Sequence, residues 1–190
     1  MTSPPASDDA LAEWARRTRS GDLEAFEALF RHLHPMLTRI AHSLADGPQA
    51  QDAVQETFVR LWEQRERIDP DRSVKAYLAR SVRNRLLNAS RDAQTRRTLL
   101  DQNAAEVTPA ALPRPDADAQ HRTLADRLAT LLQALPDRQR LAITLTRFDG
   151  LSHAEAADVM ACSARTVNNH IVRGLRTLRD RLQAYDLDAR

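Results

Sequence analysis

Ser152-His-Ala-Glu-Ala-Ala-Asp-Val-Met160, Ala161-Cys-Ser163 and Ala164-Arg-Thr-Val-Asn-Asn-His-Ile-Val-Arg-Gly-Leu-Arg-Thr-Leu-Arg-Asp-Arg-Leu182 run on without a break near the end of the chain. Ser152 and Glu155 make a Ser-x-x-Glu capping box, in which each side chain satisfies an orphan N–H at the start of a helix. A short helix to about Met160 follows. A three-residue turn then leads into a long helix from Ala164, with Val167, Ile171, Leu175, Leu178 and Leu182 inward at steps of three and four. A capped short helix, a tight turn and a long Arg-bearing helix read as helix-turn-helix. Ala161 stands at the turn where glycine is usual, and a Cβ in the left-handed conformation costs ~1 kcal/mol. Gly174, inside the long helix, costs ~1 kcal/mol relative to Ala and suggests close approach to a neighbour.

Upstream, Pro136 stops one helix at about Leu135 and opens another, which turns Leu141, Leu145 and Phe148 inward and ends at Gly150. Before these lies a stretch, 92–125, holding Pro109, Pro113 and Pro115 amid Ala, Gln, Asp and Thr. So few large apolar groups cannot offset the entropy of ordering, which predicts a flexible linker. It is acidic, with a net charge of −3 over Asp101 to Asp126, whereas Arg60 to Leu100 carries +6 and Ser163 to Leu182 carries +4. Two basic surfaces on an acidic tether are expected.

Ahead of the linker, the apolar positions Leu23, Phe26, Leu29, Leu33, Leu37, Ile40 and Leu44 form one helical stripe, which Pro35 should kink or divide. A second helix begins near Pro48 and runs to about Arg67, with Ala50, Val54, Phe58, Leu61 and Trp62 inward. A third runs from about Ser73 to Arg91, with Val74, Tyr77, Leu78, Val82, Leu86 and Ala89 on one side; a weaker helix is expected at Ala10 to Arg19. The expected organisation is all-α: a helical bundle over 10–91, the linker at 92–125 and a helix-turn-helix domain over 126–183.

The 190 residues include four glycines and no alternating Val/Ile/Thr runs, which argues against sandwiches, barrels and nucleotide-binding α/β folds. One Cys removes disulfide frameworks and multi-cysteine zinc sites. No signal peptide and no membrane-length apolar run is visible, so a cytoplasmic protein without membrane insertion is expected. His32 and His34 diverge on a helix and His42 has no carboxylate beside it, so all three read as surface residues rather than metal ligands. Cys162 reads as a small buried hydrophobe. No catalytic residue, metal or cofactor is expected. The eight residues after Leu182 leave no expectation of a further C-terminal domain.

On the long helix, Arg165, Thr166, Asn168, Asn169, His170 and Arg173 lie nearer the outside, at the turns that would enter a major groove. Arg pairs bidentately with guanine and Asn with adenine. Arg173, Arg176 and Arg179 would lie along the phosphate backbone, fixing register.

Asp52-Ala-Val-Gln-Glu-Thr-Phe-Val-Arg-Leu-Trp62 resembles region 2.2 of bacterial RNA polymerase sigma factors, in particular the extracytoplasmic-function class of the sigma-70 family. Gly21-Asp-Leu-Glu-Ala-Phe-Glu-Ala-Leu-Phe30 resembles the start of that class's region 2, and Val74-Lys-Ala-Tyr-Leu-Ala-Arg-Ser-Val-Arg-Asn84 its region 2.4 helix. Leu135-Pro-Asp-Arg-Gln-Arg140 and Asp149-Gly-Leu-Ser-His-Ala-Glu-Ala-Ala157 resemble region 4. The resemblance spans Leu11 to Leu182, with the motifs in order. It implies a sigma factor that binds core RNA polymerase and directs initiation by reading −10 and −35 elements. Asp52, Gln55, Glu56 and Phe58 would dock on the β′ clamp helices, although Phe58 also continues the apolar stripe. Lys75, Arg80, Arg83, Asn84 and Asn88, with Arg85 and Arg91 alongside, would face the −10 element; Arg165, Thr166, Asn168, Asn169, His170, Arg173 and Arg176 would face the −35 element. The implied partners are core polymerase (β′ clamp helices and β flap), promoter DNA and an anti-sigma factor, with the free chain monomeric. Trp62 and Tyr77 are the aromatics near the promoter-melting region, and both fit buried stripes. The competing readings are a standalone helix-turn-helix regulator that binds DNA without polymerase, and a protein-binding bundle with no DNA role.

Overall fold

The computed structural model describes the backbone of residues 7–45, 47–100 and 124–188, and the side chains of 7–45, 47–92 and 128–183. Helix α1 (Asp8–Arg19) starts where the Ser7 hydroxyl accepts the Ala10 N–H, and α2 (Leu23–His42) where the Asp22 carboxylate accepts that of Ala25. The Ala25 N–H, followed by Arg17, holds the Asp22 carboxyl below its ordinary range. Pro48 opens α3 (Pro48–Glu63), and a 3-10 turn at Arg65–Arg67 leads towards α4 (Val74–Leu100).

Helix α2 is not divided at Pro35. That proline is exposed, as is Arg31, whose carbonyl loses the i+4 donor, while Leu33, Met36 and Leu37 on the opposite side are buried. Packing therefore holds the helix across a break that falls on the water side. Full burial of an aliphatic side chain contributes about 1.5–3 kcal/mol, and Leu29, Leu33, Leu37 and Ile40 of α2 are all fully buried. The backbone of α4 continues as helix to Leu100, past the boundary expected at Asp92; the rest of the expected tether, 101–123, lies outside the described residues.

The second half comprises α5 (Leu124–Gln133), α6 (Asp137–Ile143), a π turn at Thr144–Phe148, α7 (His153–Met160) and α8 (Ala164–Asp188). Gly150 takes φ +68 after the π turn, a left-handed conformation that glycine adopts freely. Leu135, Ile143 and Leu178 form a small satellite cluster with Leu131 and Leu132. The main apolar cluster is shared between the halves: Leu29, Val54, Leu78 and Val82 belong to the same contiguous core as Leu145, Ala156, Met160 and Ile171. Helix α4 packs against α7, and α2 touches the π turn.

Several stripes are narrower than their periodicity predicts. Leu23, Tyr77, Phe148, Leu175 and Leu182 are exposed rather than inward, and so is Ala89. Leu23 opens α2 and Leu182 lies in the last turns of α8, where a helix outruns the neighbour that would cover it.

Candidate functional site

Helices α3 and α4 border a groove of about 600 Å³. Asp52, Glu56 and Arg60 line it from α3, and Tyr77, Ser81, Asn84, Arg85 and Asn88 line it from α4. The expected polymerase-docking carboxylates and part of the expected −10 face thus share one groove. An ion pair between Glu56 and Arg85 spans it; Asp52 is exposed in its lining, and Gln55 is exposed but does not line it. Arg85 is held below its ordinary pKa by burial and by Arg60, against the pull of Glu56.

Phe58 does not join this face. It is 3% exposed and packs against Phe30 at 4.7 Å and Phe26 at 6.4 Å between ring centroids, because it sits one turn on from buried Val54. Its place among the docking residues is withdrawn. Trp62 is half-buried against Phe26, with the Arg65 guanidinium over its ring. Tyr77, by contrast, is 52% exposed in the groove. Leu78 and Val82 mark the buried face of α4, and Tyr77 lies one position off it. A solvent-facing aromatic therefore stands among the polar groups of α4, where the sequence suggested none. His32 and His34 are half-buried, not on the open surface, His32 edge-on to Trp14 and His34 beside Phe30 and Phe58.

The cations of α4 fall into two sets. Arg80, Asn84, Asn88 and Arg91 are exposed. Lys75 and Arg83 are half-buried. Lys75 Nζ donates to Asp8 at 3.2 Å and lies in the field of Asp149 and Glu155. Burial, followed by repulsion from Arg138, depresses the pKa of Arg83. Both covered cations thus meet the second half of the chain.

In that second half the capping box is formed: Ser152 Oγ accepts the Glu155 N–H at 3.2 Å, and the Ser152 N–H donates to Glu155 Oε2 at 2.8 Å. Burial pushes the Glu155 carboxyl up, but hydrogen bonds from Ser73 and Ser152, with Lys75 nearby, bring it net below its ordinary value. Ala161 adopts the left-handed conformation, φ 51 and ψ 54. Cys162 is half-buried against the core. Ser163 caps α8, its hydroxyl accepting the Thr166 N–H at 3.1 Å and bonding the Thr166 hydroxyl at 2.8 Å. The Thr166 hydroxyl is accordingly half-buried and engaged by the cap. Val167 and Ile171 are buried beneath α8, leaving Arg165, Asn168, Asn169, Arg173 and Arg176 exposed on one basic, amide-bearing face. His170 is half-buried; burial, followed by Arg138 and Arg173, lowers its pKa, so its ring is neutral at neutral pH.

No sequence signal announced the polar contacts between the halves. Arg39 of α2 grips Asp149, its Nη2 and Nε at 2.6 and 3.0 Å from Oδ1. Arg140 donates from Nε to the Ser43 carbonyl at 2.9 Å. The Asp149 side chain is fully buried and its Oδ2 has no partner among the described residues.

Comparison with known proteins places these features in a wider set. The pattern described as Sigma-70 region 2 matches residues 29–96, and that described as Sigma-70, region 4 matches residues 125–178. The RNA polymerase sigma factor NccH of Alcaligenes xylosoxydans xylosoxydans is 31% identical over 184 residues, covering 95% of this chain and 97% of its own length. An RNA polymerase sigma-E factor of Streptomyces coelicolor is 34% identical over 173 residues, covering 90% of this chain and 93% of its own. Among solved structures, CnrH in complex with the cytosolic domain of CnrY aligns with a TM-score of 0.65 and 28% identity, covering 92% of this chain and 98% of that one. The sigma factor RpoE from Bartonella quintana, bound to the anti-sigma factor NepR, also aligns with a TM-score of 0.65, at 25% identity, covering 83% of this chain and 96% of that one.

Proposed function

The chain belongs to the sigma-70 family of RNA polymerase sigma factors, and from that membership we propose which of its surfaces meets which partner. Asp52, Gln55 and Glu56 dock on the β′ clamp helices of core polymerase. The outer face of α4, with Arg80, Asn84, Asn88 and exposed Tyr77, meets the −10 element. A tyrosine in that place provides a stacking platform for an unpaired base. Arg165, Asn168, Asn169 and Arg173 enter the major groove at the −35 element, and Arg176 holds the backbone. The domain that carries α8 also meets the β flap. The regions ending in α4 and beginning at α5 act as two reading heads, with the chain between Leu100 and Leu124 as the tether that keeps each near its site at an effective concentration reaching mM.

The observation that carries this reading is the composition of the α8 face. Val167 and Ile171 anchor the helix from below while four exposed Arg and Asn side chains occupy its first turns, where base edges are read. A merely solvated helix has no need of amides there. An anti-sigma factor is a further partner by the same reasoning, since the RpoE structure holds one. The proposed setting is the cytoplasm, and no helix among the described residues is long and apolar enough to cross a membrane.

Titration of the full chain against bacterial core polymerase tests the assignment. Saturable one-to-one binding, weakened by Asp52→Ala/Glu56→Ala, is the expected result. Absence of binding by a preparation free of co-purified inhibitor would favour the standalone regulator instead.

A further inference from the structure

Arg85 stands among the −10 residues in the sequence but not in the structure. Arg80, Asn84, Asn88 and Arg91 of α4 are exposed, whereas the Arg85 side chain is 18% exposed and reaches across the groove to Glu56 of α3. The pair is asymmetric. Its cation is sunk between the helices, and its carboxylate, on a side chain 65% exposed, stands at the rim. A guanidinium covered in this way and turned towards α3 is poorly placed to hold a DNA phosphate.

Two costs attend that placement. Burial and the like charge of Arg60 both disfavour the Arg85 guanidinium, and Glu56 is the group that opposes them. The carboxylate in return gains a fixed partner. An exposed glutamate on a helix face samples several rotamers, and a protein that binds it must immobilise them, which weakens association by a small factor. Here Arg85 Nη1 donates to Glu56 Oε2, and among the described residues nothing bonds Oε1. One oxygen is anchored and the other is left for a donor from outside. Competition by Arg85 for the same charge is the opposing effect, and it is small because ion pairs at an exposed carboxylate are worth little in water.

We propose that Arg85 is a positioning residue of the polymerase-docking face: from within the α3–α4 groove it fixes Glu56 through one hydrogen-bonded ion pair, so that core polymerase meets a carboxylate already held in place. The role rests on the docking reading given above. It removes Arg85 from the DNA-facing set that its place in the sequence suggests, and it joins α4 to a surface otherwise built by α3.

The experiment measures the affinity of the full chain for bacterial core polymerase in four forms: unaltered, Arg85→Gln, Glu56→Gln and the double variant. Arg85→Gln is expected to weaken binding about threefold. In the Glu56→Gln background the same change is expected to add nothing, since the group it positions is gone. Arg85→Lys should restore most of the affinity, because the pair uses one donor rather than the guanidinium fork. A merely structural arginine would act through the bundle and lower affinity equally in both backgrounds. Circular dichroism melts identify a variant that has lost its helices. If Arg85→Gln does so, Arg85→Met, which keeps the apolar stem in the groove, takes its place in the cycle. Additive losses, or unchanged or tighter binding by a folded Arg85 variant, would overturn the positioning role and leave the docking reading intact. Absence of binding by the unaltered chain, free of co-purified inhibitor, overturns the docking reading and this role with it.

Discussion

Gly174 of α8 lies so close to Ile143 of α6 that a Cβ placed on it would sit 2.7 Å from Ile143 Cδ1 and 3.3 Å from Gln139 Cβ. The glycine that weakens α8 by propensity is what lets α6 and α8 pack. Gly174→Ala should therefore destabilise the chain although alanine is the better helix former. Overpacking costs about 1–3 kcal/mol and the helix gains ~1 kcal/mol, so a net loss of about 1 kcal/mol is expected in urea melts. Ile143→Val in the same chain should recover part of it by withdrawing the clashing methyl.

Ala161 gives the opposite expectation. It is the one non-glycine residue with positive φ among those described, and its Cβ opposes the conformation that the turn requires. Ala161→Gly should raise stability by about 0.5–1 kcal/mol, the strain released outweighing the entropy that glycine adds to the unfolded chain. The denaturant midpoint should move up with an unchanged slope; a fall would mean that the turn tolerates the methyl group.

The face of α8 divides into readers and holders. Arg165→Ala or Asn168→Ala should cost about 1–3 kcal/mol on a cognate −35 duplex and relax preference at one base pair. Arg176→Ala should weaken all duplexes alike and reduce the salt slope by about one. Competition binding across a promoter library at two salt concentrations separates the two behaviours.

Acidity should favour the packing of the two halves against each other. Burial pushes the Asp149 carboxyl up to about 6 from its ordinary 3.8, although Arg39 and Lys75 pull it down. A pKa raised by that packing means that packing takes up a proton. Its contribution is fully present below 3.8 and is lost as pH rises through about 6. The groups acting on this carboxyl are Arg39 from α2 and Lys75 from α4, with Glu155 of α7 sharing the field of Lys75. Energy transfer between dyes on cysteines introduced at exposed Gln51 of α3 and Asp180 of α8, in a Cys162→Ala chain, should rise as pH is lowered from about 7.5 to about 5, and Asp149→Asn should flatten the titration. A fall in transfer on acidification would refute this sign.

Much of the architecture is legible in the sequence because its signals are local. Ser152 and Glu155 announce a capping box three residues apart, Gly150 a left-handed end, and Val167 and Ile171 the buried side of the last helix; each is where its neighbours in the chain require it. Periodicity tells less about width. Tyr77 and Val74 both fit a stripe at helical spacing, yet Val74 is buried and Tyr77 faces the groove, because the position of α3 decides which edge of the stripe is covered. Phe58 could serve as core or contact by spacing alone, and only the rings of Phe26 and Phe30 decide for the core. The contact between the halves was wholly hidden. Arg39 and Asp149 are 110 positions apart, and nothing local to either residue indicates the other.

The π turn has a consequence for how this chain can vary. The Asp149 N–H closes on the Thr144 carbonyl five residues back, at 3.1 Å, and the Leu151 N–H on that of Leu145 at 2.9 Å. One residue more than an α-helical turn is accommodated between Ile143 and Gly150. Removing any one of Thr144 to Phe148 would rotate the downstream chain by about 100°, since a helix has 3.6 residues per turn. Asp149 would then swing away from Arg39, and buried Leu151 would leave the core. This segment is therefore free to exchange exposed side chains such as Arg147 but not to change its length, and a one-residue deletion there is a more severe lesion than any single substitution within it.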